Sequence, residues 1–234
     1  MKRKRIEDLA NEPQAFDLIL TDANGRSIRV HKAILIDKSD YFARILTENN
    51  LKELQLDENY LVELIHYLYS HEVDDDQRQS DMGYASIGYG IHDDESTSFS
   101  SDFIITNGDI EILMQLLALS KKYSFRQLYR NLINEINYKL SALTVLTVYR
   151  CAQELGIEEL QDATKIMILT WLPQLQTTEA FFSLSEASIH SIFTIEAPEV
   201  DNECKLNALS AWWSHNKEAD MTNLWFKLIT CNNK

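Results

Sequence analysis

Arg26-Ser-Ile-Arg-Val-His-Lys-Ala-Ile-Leu-Ile-Asp-Lys-Ser-Asp-Tyr-Phe-Ala-Arg-Ile-Leu46 changes its hydrophobic period midway, and the change decides the fold. Up to Val30, the apolar Ile28 and Val30 alternate with Ser27 and Arg29, the pattern of a strand with one buried face. From Lys32 the spacing turns helical. Ala33, Ile34 and Leu35 sit on a short helix, and Tyr41, Phe42, Ile45 and Leu46 recur at i, i+1, i+4 and i+5 on a second. Ser39 or Asp40 can cap that second helix, because a side-chain oxygen there accepts a free backbone N–H.

Upstream, Phe16-Asp-Leu-Ile-Leu-Thr21 also alternates and predicts a strand. Asn24-Gly25 supplies the positive-φ positions of a tight hairpin, so the two strands should pair antiparallel. Asp22 and Asn24 faintly suggest a calcium loop, but Ala33 stands where such a loop needs a bidentate Glu. Residues 1–15 form an N-terminal segment in which Ile6 and Leu9 share an apolar edge before Pro13. Downstream, Glu53 to Asp57 reads as a brief strand. Tyr60 to Tyr69 reads as a helix with Leu61, Leu64, Ile65 and Leu68 on one face.

Between Glu72 and Phe103 lie nine acids, one Arg and three glycines, which predicts an acidic loop insertion carrying more than half of the net charge. It reads either as a tolerated surface insertion or as an acidic docking or phosphorylation segment. Beyond Asn107 everything reads as helix. Ile110, Leu113, Met114 and Leu117 make one face, and Leu128, Leu132, Ile136 and Leu140 another. Gly156 suits a left-handed helix end between two helices, the second running from Ile157 to Leu175. The tryptophans Trp171, Trp212, Trp213 and Trp225 read as core anchors. The expectation is an α+β unit, a small sheet flanked by helices, over residues 16–138, followed by an all-α helical array over residues 139–234.

The charge of −14 repels phosphate backbones, and the only basic run is Lys2 to Arg5, so no nucleic-acid partner is expected. No apolar run reaches membrane-spanning length, and the basic start has no apolar region behind it to act as a secretory signal. The expected location is therefore cytoplasmic, with a nuclear one left open by the basic run. Cys151, Cys204 and Cys231 are too scattered for a disulfide framework or a metal knuckle. His66 and His71 differ by five, which separates them around a helix, and His31 at the strand-to-helix junction reads as a structural hydrogen-bonder. No nucleophile-and-base or phosphate-cradle motif occurs. The expectation is a non-catalytic protein that needs no cofactor and no metal.

Phe16-Asp17, Val30-His31-Lys32, Ile34-Leu35 and Ser39-Asp-Tyr-Phe42 resemble, in this order, the BTB/POZ family. Tyr67-Leu-Tyr69 and Leu119-Ser-Lys-Lys-Tyr-Ser-Phe125 are similar to later segments of that family. Ser141 to His215, above all Phe182-Ser-Leu-Ser185 and Ala208-Leu-Ser-Ala-Trp212-Trp-Ser-His-Asn216, resembles the BACK domain that follows BTB in cullin adaptors, in wording closest to members without kelch repeats. The resemblance implies a dimeric substrate adaptor that binds the N-terminal domain of cullin-3 in a ubiquitin ligase complex and recruits an unidentified substrate protein. It implies cullin contacts at Tyr41, Phe42, Ile45, Leu51, Lys52 and Glu53, where Leu51-Lys52-Glu53 stands at the place of a hydrophobic-x-Glu motif. The same triplet reads equally well as the mere start of the next strand. The dimer interface is expected at Ile6, Leu9, Phe16, Ile34 and Leu35. Asp37-Lys38 departs from the family's small residues, and no kelch repeat is expected after residue 234. A homodimerisation scaffold without cullin binding is the alternative.

Overall fold

The hairpin forms, with a turn other than the one its sequence predicts. In the computed structural model, which describes residues 16–49, 51–72, 110–195, 197 and 200–231, β1 (Leu18–Thr21) pairs antiparallel with β2 (Ser27–Val30). Leu18 faces Val30 and Leu20 faces Ile28, and all four are buried, as the alternation requires. Asn24 does not take a positive φ; Gly25 alone does in this turn, at 77°. Asp22 N–H donates to the Arg26 carbonyl at 2.9 Å and Gly25 N–H to the Asp22 carbonyl at 3.1 Å, closing a three-residue loop with a left-handed glycine. The cause is Asp22. Its buried carboxylate accepts from the N–H groups of Asn24 and Arg26 at 2.9 Å each and from Arg26 Nε at 2.7 Å. The acid suggestive of a calcium loop is thus a turn-former whose lone pairs are already engaged.

β3 (Glu53–Gln55) pairs parallel to β1, giving the order β2-β1-β3. Both β1 and β3 are shorter than their apolar patterns suggest. Between β2 and β3 come α1 (Lys32–Lys38) and α2 (Asp40–Glu48), which pack on each other. α3 (Leu61–Glu72) packs on β1 with Leu61, Leu64, Ile65 and Leu68 buried. Arg26 reaches across to it, donating through Nη1 and Nη2 to the two Glu63 oxygens at 2.6 and 3.0 Å. This fork pins the hairpin to α3. The acidic stretch Glu72 to Phe103 lies, apart from its first residue, outside the described residues.

α4 (Ile110–Lys122) packs against α3 and ends in an unusual way. Ser124 takes φ 57°, Ser124 N–H donates to the Lys121 carbonyl at 3.2 Å, and Phe125 N–H to the Ser120 carbonyl at 2.8 Å. This is the helix-ending motif that glycine normally serves. α5 (Arg126–Tyr138) then starts at once, with Leu128, Leu132 and Ile133 buried.

The chain divides into two units, Met1–Glu135 and Ile136–Lys234. In the second, α6 (Val145–Glu154) and α7 (Glu158–Thr170) pack as a hairpin around Gly156, whose φ is 63°. Gly156 N–H donates to the Gln153 carbonyl and Ile157 N–H to the Ala152 carbonyl, the same ending as at Ser124. The helix read as running to Leu175 breaks at Trp171, and α8 (Leu172–Leu175) follows. The reason is Pro173, which has no N–H for the helical ladder. α9 (Glu179–Phe182), α10 (Glu186–Phe193), α11 (Asn202–His215) and α12 (Thr222–Cys231) complete the described array. Thr178, Ser185 and Asp201 cap α9, α10 and α11 with side-chain oxygens.

One apolar cluster, including Val145, Tyr149, Leu172, Phe181, Leu209, Trp212 and Leu228, fills this unit. Only Trp212 of the tryptophans is an enclosed anchor, with Nε1–H on the Leu184 carbonyl at 3.1 Å; Trp171, Trp213 and Trp225 are half-buried at its edge. The architecture is α+β, a small sheet flanked by helices, followed by an all-α array.

Candidate protein-interaction surface

α2 is mounted from three sides. Ser39 Oγ accepts from the Phe42 N–H at 3.1 Å and donates to the Tyr123 carbonyl at 2.5 Å, so one buried hydroxyl caps the helix and ties it to the end of α4. Phe42 lies beneath, fully buried, with ring centroids 5.6 Å from Tyr123 and 5.7 Å from Phe125. Arg126 at the start of α5 bonds Asp40 at 2.6 Å, a mutually exposed pair of small energetic weight.

On that mount Tyr41 and Ile45 are half-buried and one turn apart, hence on one face, with Arg44 and Glu48 exposed nearby in sequence. Tyr41 stands edge-on to both Phe42 (5.3 Å) and Tyr123 (5.0 Å), so two buried rings orient it. Burial, reinforced by the nearby Tyr41 hydroxyl, pushes the Tyr123 phenol up to about 12 and keeps it neutral. Lys122 pairs with Glu58 and lies 5.8 Å from the Tyr123 ring centroid.

Leu51 is half-buried, Lys52 and Glu53 are exposed, and Glu53 opens β3. The Lys52 carbonyl accepts from Ile19 N–H at 2.9 Å, which registers the triplet on the central strand. From Asn49, the cap at the end of α2, to Glu53 is four residues, so their Cα atoms lie no more than about 14 Å apart. Phe42 is the exception among the six residues expected to touch a partner. It has no exposed surface, and its position supports Tyr41 instead.

The expected dimer residues divide likewise. Ile6 and Leu9 lie outside the described residues. Phe16 is half-buried, its ring 4.3 Å from that of His31. Ile34 and Leu35 are 2% and 0% exposed, so they serve the interior of their own unit and leave no side-chain area for another chain. His31 is buried and structural: its N–H donates to the Tyr69 hydroxyl at 2.9 Å, and its Nδ1 lies 3.1 Å from the same oxygen. Burial pushes the Tyr69 phenol up to about 12, against the opposing pull of the His31 N–H.

Sequence reasoning missed two supports of the surface. Asp17 Oδ1 accepts from Lys32 N–H at 2.8 Å at the start of α1, and Tyr67 donates to Glu135 on α5. The Asp-led strand was legible as a motif; the Tyr67 contact, between residues 68 apart, carried no local signal. Among the described residues no group of three or more His, Cys, Asp or Glu gathers as a metal site would require.

This arrangement, a small sheet with a rigidly mounted helix presenting an apolar-aromatic face and then a helical array, defines a protein-interaction module. Residues 6–87 match the model of the BTB/POZ domain and residues 145–231 that of the domain described as BTB And C-terminal Kelch, or BACK. The chain belongs to the BTB–BACK proteins, a family of protein-interaction adaptors. No curated protein matches it.

Proposed function

We propose that this BTB–BACK chain is a non-catalytic, dimeric substrate adaptor that binds cullin-3 in a ubiquitin ligase complex. The observation that carries the reading is the mounting of α2. Tyr41 and Ile45 share a half-exposed face, and Tyr41 rests on a buried aromatic base that limits the side-chain freedom it has to lose on binding. Leu51 would fill an apolar pocket on a cullin helix next to that face, and the exposed Glu53 would cap the partner helix or order the loop. Dimerisation would proceed through the N-terminal segment with Ile6 and Leu9, together with Phe16.

The test is binding of the full chain to purified cullin-3 N-terminal domain. Wild type should bind at micromolar concentration. A Leu51→Ala/Glu53→Ala variant should lose about 2 kcal/mol of binding or more while its thermal transition stays in place. Absence of wild-type binding at micromolar concentration sinks the cullin reading. A dimer by light scattering in that case would leave a homodimerisation scaffold, and a monomer would count against both.

A further inference from the structure

In the second unit, α11, α12 and the turn between them enclose an open groove of about 400 Å³ lined by Ser210, Trp213, Ser214, Lys217 and Trp225. The two indoles stand 6.2 Å apart at 57°. Trp213 is locked, because its Nε1–H donates to the Ala219 carbonyl at 2.9 Å. The apolar face continues along α12 at Ile229, one turn beyond Trp225 and 37% exposed. The core side of this helix is occupied by Met221, Leu224 and Leu228, while Trp213 and Trp225 pack on the edge of that core and face the groove as well.

Lys217 carries the one charge in the groove's lining. Lys217 makes no ion pair among the described residues, and the indole N–H of Trp225 has no acceptor among them. The Ser210 hydroxyl also lines the groove, while Ser214 gives its proton to the Ser210 carbonyl at 2.8 Å. No carboxylate lines the groove. Glu218 and Asp220 stand on the same turn but outside the lining, so within the groove itself Lys217 places a positive charge beside two indoles, a pairing that favours an anionic group next to an apolar body.

We propose that this groove docks an acidic peptide segment of another protein, seating a bulky apolar side chain between Trp213 and Trp225 and an adjacent Asp or Glu carboxylate on Lys217. The inference deepens the adaptor reading, on which it rests, by giving the recruited protein a chemistry.

The probe is the acetylated, amidated peptide Ser-Glu-Phe-Glu-Ser, titrated into full-length chain labelled with nitrogen-15 at its indoles. Trp213→Phe and Trp225→Phe variants assign the signals. The Trp213 and Trp225 indole resonances should move and those of Trp171 and Trp212 should stay. Peptides with Gln for both Glu, or with Ala for Phe, should bind about tenfold more weakly, as should Lys217→Glu at unchanged melting temperature. The proposal is overturned if neither resonance moves at millimolar peptide, if the Gln peptide binds equally, or if Lys217→Glu changes nothing. It is also overturned if the two resonances broaden with protein concentration and ignore the peptide, since a second copy then fills the groove. Cullin-3 binding by the same samples reads the surface of Tyr41, Ile45, Leu51 and Glu53 separately. Peptide failure with cullin binding intact removes the groove and spares the adaptor; the reverse result removes the cullin reading alone.

Discussion

Asp22 does more for the first unit than any other polar residue in the hairpin. Three donors converge on its buried carboxylate, two of them backbone N–H groups with no other outlet in the turn. Asp22→Ala should therefore cost about 1–2 kcal/mol, read as a drop in the urea midpoint at unchanged slope, because three charge-assisted bonds of the turn are lost together. Tyr69 and Tyr123 make a pH prediction. Burial favours their neutral form, so the folded chain keeps phenol protons that the unfolded chain has already lost at its ordinary value of 10.0. Their contribution is whole below pH 10 and falls as pH rises from there through about 12. Urea midpoints measured on both sides of that threshold should decline on the alkaline side, and Tyr123→Phe should flatten the decline. A decline unchanged in both Tyr69→Phe and Tyr123→Phe would locate the titration elsewhere.

At the scale of elements, α2 depends on its cap and on the ending of α4. Ser39→Ala removes both the bond from Phe42 N–H and the bond to the Tyr123 carbonyl. It should cost about 1–2 kcal/mol and weaken cullin-3 binding as Tyr41 loses its fixed orientation. Ser124 makes the opposite case. A serine at φ 57° holds a left-handed conformation that glycine adopts without a Cβ penalty, so Ser124→Gly should stabilise the unit by about 0.5–1 kcal/mol in thermal or urea unfolding. Gly156 already has the residue its φ of 63° favours, and Gly156→Ala should destabilise by about 1 kcal/mol with no steric clash to blame. Gly156 was legible because glycine advertises a helix end. Ser124 was not, because nothing about a serine inside Leu119 to Phe125 marks a left-handed turn; the bonds that close it and the packing of Tyr123 and Phe125 on Phe42 hold it there.

For the whole molecule, the apolar cluster of the second unit begins at Val145, with Leu140 and Ala142 packed against it. A fragment of residues 139–234 should consequently show its own cooperative thermal transition by circular dichroism; a featureless melt would mean that its core is incomplete. The sequence by itself determined the strand-to-helix switch after Val30, the faces of α3 and α4, that of α5 as far as Ile136, the break at Gly156 and the family motifs; Leu140, read onto the α5 face, lies beyond that helix and packs on the second unit's core. Each is a short-range matter of period, cap or turn residue, which neighbours in the chain suffice to set. Tertiary structure decided which of those residues remain available. Phe42, Ile34 and Leu35 resemble Tyr41 and Ile45 in the sequence, yet the first three are enclosed and the latter two half-exposed, because long-range packing by residues such as Tyr123 and Phe125 determines what is covered. It likewise made Trp212 an enclosed anchor, Trp213 and Trp225 a groove wall and Trp171 an edge of the core, a distinction made by neighbours distant in the chain and invisible to local spacing.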